Sequence, residues 1–409
     1  MKKIFQIYAD SYRGLSSASW MLAIVMLINR SGSMVLPFLG VYMTNKLGFK
    51  DEQTGYVLAC FGVGSIIGTT LGGWVTDKIG NYKVQYLSLL GSIPVFIMLP
   101  HFTSVVSLAL MMLLQSAVSE MFRPANSVAI TMYAKPENIT RAFSLNRMAV
   151  NLGFSIGPAM GGILAAISYA LLFYVNATAA FLAAIVFIYF FRGRKTNKEL
   201  LLEQEGVESI NEVDEKNTRS PYKDKLFLVY SLFCTLYSIA FLQLLSTLPI
   251  FYKKAGGLNE VEIGLVLGYS GLIIFITEML FVYLAERFFS IRQTIYYGVL
   301  ISALGYGMLA LDHSIITIYV SMTILCISEM LAMPFTSTVT AMRAGSKNKG
   351  SYMGVNGLTF AIGFIISPIL GTKIATHFGY EILWSATALL VIIAAVGLNY
   401  SVKRMINEE

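Results

Sequence analysis

The chain has 409 residues, 56% of them hydrophobic and 13% charged, with a formal charge of +7. A charged fraction about half that of soluble domains excludes an ordinary water-soluble enzyme. The same composition excludes disordered, collagenous and disulfide-stapled chains. Cys60, Cys234 and Cys326 each lie inside an apolar run, where they read as small core side chains and not as a redox or metal centre.

The stretch up to Ser19 is polar and the run after it is of full membrane length, so no cleavable signal peptide is expected. Apolar windows of about 20 residues predict helices over 17–44, 54–75, 82–100, 103–133, 144–166 and 168–191. Residues 192–225, rich in Lys, Glu and Asn, read as a polar linker. Six more helices are expected over 226–252, 261–285, 293–311, 313–340, 350–372 and 381–402. The expected fold is an all-α integral membrane protein of twelve transmembrane helices, with one six-helix bundle over 1–191 and another over 226–409.

With that topology, 22 of the 30 Lys and Arg residues fall on one set of loops, five on the other, and Arg30, Arg123 and Arg147 within spans. The asymmetry places both termini in the cytoplasm. The basic charge is therefore topological, and no nucleic-acid partner is expected. A multi-pass protein of a bacterial inner membrane follows, working as a monomer on a small-molecule substrate.

The halves match each other at a spacing of about 210 residues. Asn146, Gly153 and Pro158 lie over Asn356, Gly363 and Pro368; Ser119, Glu120 and Met121 over Ser328, Glu329 and Met330; Asp77 and Lys78 over Glu286 and Arg287. Parallel repeats of this kind imply two pseudo-symmetric bundles around a central cavity near the bilayer midplane, an arrangement suited to alternating access.

The segment Gly73-Trp-Val-Thr-Asp77-Lys78-Ile-Gly80-Asn81-Tyr82-Lys83 resembles the G-x-x-x-D-R-x-G-R-R/K signature of the major facilitator superfamily. The resemblance implies a cytoplasmic gate in which Asp77 and its basic neighbours tie one half to helix ends of the other, with Glu286 and Arg287 at the repeated position. Lys78 stands for the usual Arg, and Asn81 and Tyr82 for a basic pair. In the fifth helix, Gly153-Phe-Ser-Ile-Gly157-Pro158-Ala-Met-Gly161-Gly162 resembles the G-x-x-x-G-P-x-x-G-G signature of proton-coupled drug antiporters. Small residues there let helices approach closely and Pro158 bends the helix. Plain helix packing, which Gly64, Gly68 and Gly72 also serve, is the other use of such glycines.

A charge at the bilayer centre costs roughly 2.5–3.5 kcal/mol, so each one needs a reason. Arg30 lies midway along the first helix, Glu120 and Arg123 one turn apart on the fourth, Glu278 on the eighth and Glu329 on the tenth. Glu120 and Arg123 either neutralise each other or, with a bend at Pro124, face a water-filled cavity. Glu329, Glu120 and Glu278 are the candidate proton carriers, since burial favours the protonated carboxyl; the alternative is a permanently neutral hydrogen-bond donor. No cofactor is expected beyond protons as the coupling ion. Arg30 suits an anionic substrate group or an ion pair with Glu120 or Glu329. Asn29, Gln115, Asn151, Gln243 and Arg123 complete the candidate substrate-binding set, with helix cross-linking as their alternative use.

The leading expectation is a drug or metabolite:proton antiporter, an exporter. The segment from Asn29, Arg30, Ser31 and Gly32 through Tyr42, together with Asn151, Leu152 and Gly153, resembles proton-dependent oligopeptide transporters. That implies import, with Arg30 and Glu329 holding the ends of a peptide, yet Val25 to Asn29 supply none of the acids of the E-x-x-E-R signature. A third alternative, an intramembrane serine hydrolase, rests on the G-x-S-G match at Gly268, Ser270 and Gly271 and needs a histidine base near Ser270.

Overall fold

The computed structural model describes residues 2–32, 34–49, 51–195, 219–344 and 348–407. Every regular element among them is helical, and eleven helical stretches are long and apolar enough to cross a membrane. By their contacts the helices form two compact units. The N unit is Gly14–Thr218 with Ala344–Leu358, and the C unit is Met1–Arg13 with Arg219–Arg343 and Thr359–Glu409. This grouping differs from the bundles expected over 1–191 and 226–409 at two places. The amino-terminal helix α1 (Lys2–Ser11) groups with the C unit, and residues 344–358 group with the N unit. Of the linker expected over 192–225, residues 196–218 lie outside the described residues.

The N unit contains α2 (Ser17–Ser31), α3 (Val35–Val41), α4 (Asp51–Ile79), α5 (Asn81–Met98), α6 (Val105–Glu120), α7 (Phe122–Tyr133), α8 (Ile139–Ile167) and α9 (Tyr169–Phe191). Its core is built from Met34, Leu39, Met43, Val57, Leu108, Met112 and Phe173, all buried. Three glycines at helical spacing bring α4 against α6: a Cβ on Gly64, Gly68 or Gly72 would lie 2.3, 2.4 or 2.6 Å from backbone atoms of Leu113, Ala117 or Met121. Two backbones in such contact exchange dispersion energy that lipid cannot match.

The C unit contains, besides α1, α10 (Lys225–Phe241), α11 (Gln243–Ser246), α12 (Leu248–Lys254), α13 (Glu260–Phe288), α14 (Ile291–Leu311), α15 (Ile315–Arg343), α16 (Lys349–Phe378, its first turns grouping with the N unit) and α17 (Tyr380–Asn407). Helix α14 packs along both α15 and α17, and α1 lies on α13. Phe251 is ringed by His313, Tyr380 and Trp384, and Tyr306 stacks on Trp384. Large side chains such as Trp20, Leu71, Leu110, Ile163, Leu311, Ile316 and Leu389 face outward in both units. Such surfaces are stable against acyl chains and not against water.

The spans expected over 17–44 and 226–252 are each interrupted. The first breaks after Ser31, resumes as α3 at Val35 and ends in a π-helical turn, Tyr42–Lys46, so neither piece reaches spanning length. The second breaks after Phe241 and again at Thr247. Prolines explain the restarts: Pro37 lacks the N–H that would continue the α2 ladder, and Pro249 sits in the first turn of α12, where the missing donor is harmless. The breaks after Ser31 and Phe241 fall 210 positions apart, the spacing of the repeat. The span expected over 103–133 turns at Met121, where Pro124 cannot donate to the Glu120 carbonyl.

Candidate functional site

In the N unit, α2, α6, α7 and α8 bring charges together. Glu120 Oε1 lies 4.0 Å from Arg30 Nη1, and Glu120 Oε2 lies 3.7 Å from Arg123 Nε. Both distances are ion pairs beyond hydrogen-bond reach. The side chains of Arg30 and Glu120 are 14% and 11% exposed and that of Arg123 39%. The Arg30 guanidinium sits over the Phe154 ring of α8, 5.7 Å from its centroid, within cation–π range. Arg30 is thus joined to Glu120 inside its own unit.

Gly153 makes this contact possible. A Cβ there would lie 2.6 Å from Arg30 Cβ and 3.0 Å from the backbone of Ser31, so the motif glycine lets α8 close on α2 at the arginine. Gly161 repeats the device one stretch along, 2.9 Å from Met34 Cβ by the same construction. Gly157 is buried, Gly162 is exposed, and α8 runs unbroken through Pro158. The C unit uses the equivalent glycines alike: Gly363 abuts Ser238 and Leu242, and Gly371 abuts Gln243 and Thr247.

The polar candidates divide. Gln115 donates from Nε2 to Ser119 Oγ at 2.6 Å, along its own helix. Gln243 donates to the Ser367 carbonyl at 3.3 Å, so it cross-links helices of the C unit. Asn151 Nδ2 is buried with no hydrogen-bond partner among the described residues. Asn29 is half-buried on α2. Asn126, which the sequence did not single out, donates to Asn146 Oδ1 at 3.1 Å and ties α7 to α8 beside the cluster.

In the C unit, Glu329 on α15 is 5% exposed. It lines a cavity of about 10 Å³ with Tyr237, Ser302, Tyr306, Cys326 and Ser328, about what a single water needs. Tyr237 and Ser328 share a hydrogen bond of 3.0 Å, and Tyr306 donates to the Ala240 carbonyl at 2.7 Å. None of these neighbours was legible as a site, because tyrosines and serines are ordinary in apolar spans. Glu278 is fully buried on α13, under the α1 side of the unit. Tyr12, just past α1, has its phenol pushed up by burial, by its hydrogen bond to Tyr8 and by the charge of Glu278.

In the Gly73–Lys83 segment the carboxylate meets backbone donors. Asp77 Oδ1 accepts from Gly350 N at 2.6 Å and Oδ2 from Ser351 N at 2.8 Å, at the first turn of α16. That turn has free N–H groups and the positive end of the helix dipole. Gly73 admits α16, since a Cβ there would lie 2.5 Å from the Gly350 carbonyl oxygen. Gly80 turns the chain into α5 with φ +86°, a conformation that favours glycine. Lys78 lies over the Trp74 ring at 3.9 Å, and both it and Lys83 are exposed. At the repeated position Arg287 lies over Phe288 and Glu286 is half-buried.

Ser270 is bonded within its own helix. Its hydroxyl donates to the Leu267 carbonyl at 2.7 Å, while His313 packs edge-on to Phe251 and His377 Nδ1 contacts the Lys373 carbonyl.

Apolar spans, close-packed glycines and a few sequestered charges define a multi-pass membrane transporter. The Major Facilitator Superfamily model matches residues 20–281 and 226–404, and the chain belongs to that family. It is 25% identical to the MFS-type transporter YttB of Bacillus subtilis (strain 168), over 93% of this chain and 94% of that protein. It is 24% identical to multidrug resistance protein 1 of the same organism, over 83% and 84%. The fold matches the crystal structure of a bacterial homologue of the iron transporter ferroportin in an outward-facing state, with a TM-score of 0.73 at 15% identity, covering 95% of this chain and 100% of that one.

Proposed function

We propose that this protein is a proton-coupled antiporter that exports a small amphipathic compound by alternating access. In this reading twelve spans form two pseudo-symmetric six-helix bundles around a central cavity in a cell membrane, with both termini cytoplasmic. The protein acts as a monomer, and protons are the coupling ion. Arg30, Arg123 and Asn151 line the substrate path. Asp77 on the α16 terminus serves as the cytoplasmic gate.

The observation that carries the reading is the contrast between two repeat-related acids. Glu120 is held by Arg30 and Arg123, whereas the positions equivalent to those arginines around Glu329 hold Ala240 and Ala332. The pocket side chains beside Glu329 are neutral. On this contrast Glu329 is assigned as the carrier and Glu120 as the organiser. The antiporter-like glycine motif at Gly153 and the drug-resistance relative support export.

Proteoliposomes with an imposed pH gradient test it. Across a panel of anionic, neutral and cationic fluorescent dyes, efflux of at least one should be driven by a proton gradient in wild type, and Glu329→Gln should abolish gradient-driven flux while exchange of that dye at equal pH persists. Flux indifferent to the gradient would overturn the proposal.

A further inference from the structure

Arg30 is an unusual guanidinium. Its Nε is buried with no hydrogen-bond partner among the described residues, and its contact with Glu120 Oε1 is 4.0 Å. Guanidinium N–H groups kept from water are costly to leave unmet. On α8, Asn151 Nδ2 is a second buried donor with no hydrogen-bond partner among the described residues, and Asn151 shares a helix face at i and i+3 with Phe154, the ring that meets Arg30. Phe154 lies against the guanidinium at 5.7 Å and keeps 47% of its surface exposed. Glu120 has a second cation, Arg123, at 3.7 Å. It therefore stays paired when Arg30 turns to something else.

We infer that Arg30, Asn151 and Phe154 form a binding site for an organic carboxylate with an apolar or aromatic body. A carboxylate matches the planar fork of a guanidinium with two parallel hydrogen bonds, which a lysine cannot reproduce. The amide of Asn151 completes the acceptor's coordination, and the Phe154 face receives the apolar body. An organic cation is disfavoured at the same place, because it would have to separate Glu120 from two guanidiniums before pairing with it. The inference names the substrate class for the transport cycle proposed above and so rests on that reading, but the site needs no gradient to be occupied.

Binding to the purified full chain in detergent tests it, read by the fluorescence of three dansyl compounds that differ in charge: dansylglycine, its neutral amide and dansylcadaverine. Wild type should bind dansylglycine about tenfold more tightly than the amide, and the cation more weakly still. Arg30→Lys should weaken dansylglycine about tenfold, and Arg30→Met and Asn151→Leu should narrow the preference over the amide. Equal binding of the three compounds by wild type, a preference for the cation, or no binding of dansylglycine at millimolar concentration would overturn the inference without any variant having to fold. Anion preference kept in liposomes whose flux ignores the pH gradient would sink the proton-coupled cycle and leave the site standing. A gradient-driven flux with no charge preference would do the reverse.

Discussion

Arg343, the last residue of α15, grips Asp224, the residue that opens α10. Nε meets Oδ2 at 2.8 Å and Nη2 meets Oδ1 at 3.3 Å, both side chains being almost wholly buried. The same carboxylate caps α10 by accepting from Phe227 N at 3.1 Å. Removing one partner strands a buried charge. Arg343→Met should therefore destabilise the protein by about 3–5 kcal/mol, measured as a fall in the unfolding midpoint in detergent. A midpoint within a degree of wild type would show that the pair is dispensable.

Gly153 should tolerate no side chain. With a Cβ 2.6 Å from that of Arg30, Gly153→Ala overpacks the α2–α8 contact at a cost of about 1–3 kcal/mol and displaces the arginine. Initial transport rates should drop sharply. Gly264→Ala is the control, because nothing lies within 4 Å of a Cβ there, and it should transport as wild type does.

Asp77→Asn keeps an acceptor for one N–H of α16 but loses the charge that faces the helix dipole. Such a charge contributes up to about 2 kcal/mol in partly buried geometry, a factor of roughly 5–30 in an equilibrium constant. Transport should slow by about that factor while substrate affinity in detergent is kept. Unchanged rates would remove Asp77 from the gate.

Glu120→Gln and Glu329→Gln should separate in stability. Glutamine at 120 leaves the buried Arg30 facing a neutral amide, whereas glutamine at 329 sits among tyrosine and serine hydroxyls that can bond it. The Glu120 variant should unfold at the lower temperature. The opposite order would contradict the assignment of organiser and carrier.

Asp312, exposed between α14 and α15, accepts from Ser314 Oγ at 2.6 Å, from Thr317 Oγ1 and from Ser314 N at 3.2 Å. These bonds, the Ser314 hydroxyl first, hold its carboxyl down at about 2. A carboxyl depressed in the folded state stabilises it in full above the unfolded value of about 4, and that contribution is lost as pH falls towards 2. Asp312→Asn should flatten this part of the stability profile, and acid titration of the two proteins in detergent would show it.

Much of the architecture was written in hydropathy. Helix positions, the repeat, the Gly73–Lys83 turn and the α8 glycines could all be read directly. Apolar windows undershot several helices, because α8, α13 and α16 continue through polar ends where the backbone ladder persists outside any hydrocarbon. They also missed the breaks beside Gly32 and Leu242, since Pro37 and Pro249 sit in runs as greasy as their neighbours. The choice of Glu120 as partner for Arg30 was beyond the sequence. Ninety residues separate them, and only the close approach that Gly153 permits decides it. Gln243, an amide in an apolar span, was open to lining a pocket or linking helices, and its bond to the Ser367 carbonyl is of the second kind.

The interruptions after Ser31 and Phe241 belong to the repeat itself and not to either half, since a discontinuity recurs at one register in both. The arginines at 30 and 123, matched by alanines at 240 and 332, do not recur: the halves share a backbone plan and differ in where they place cations.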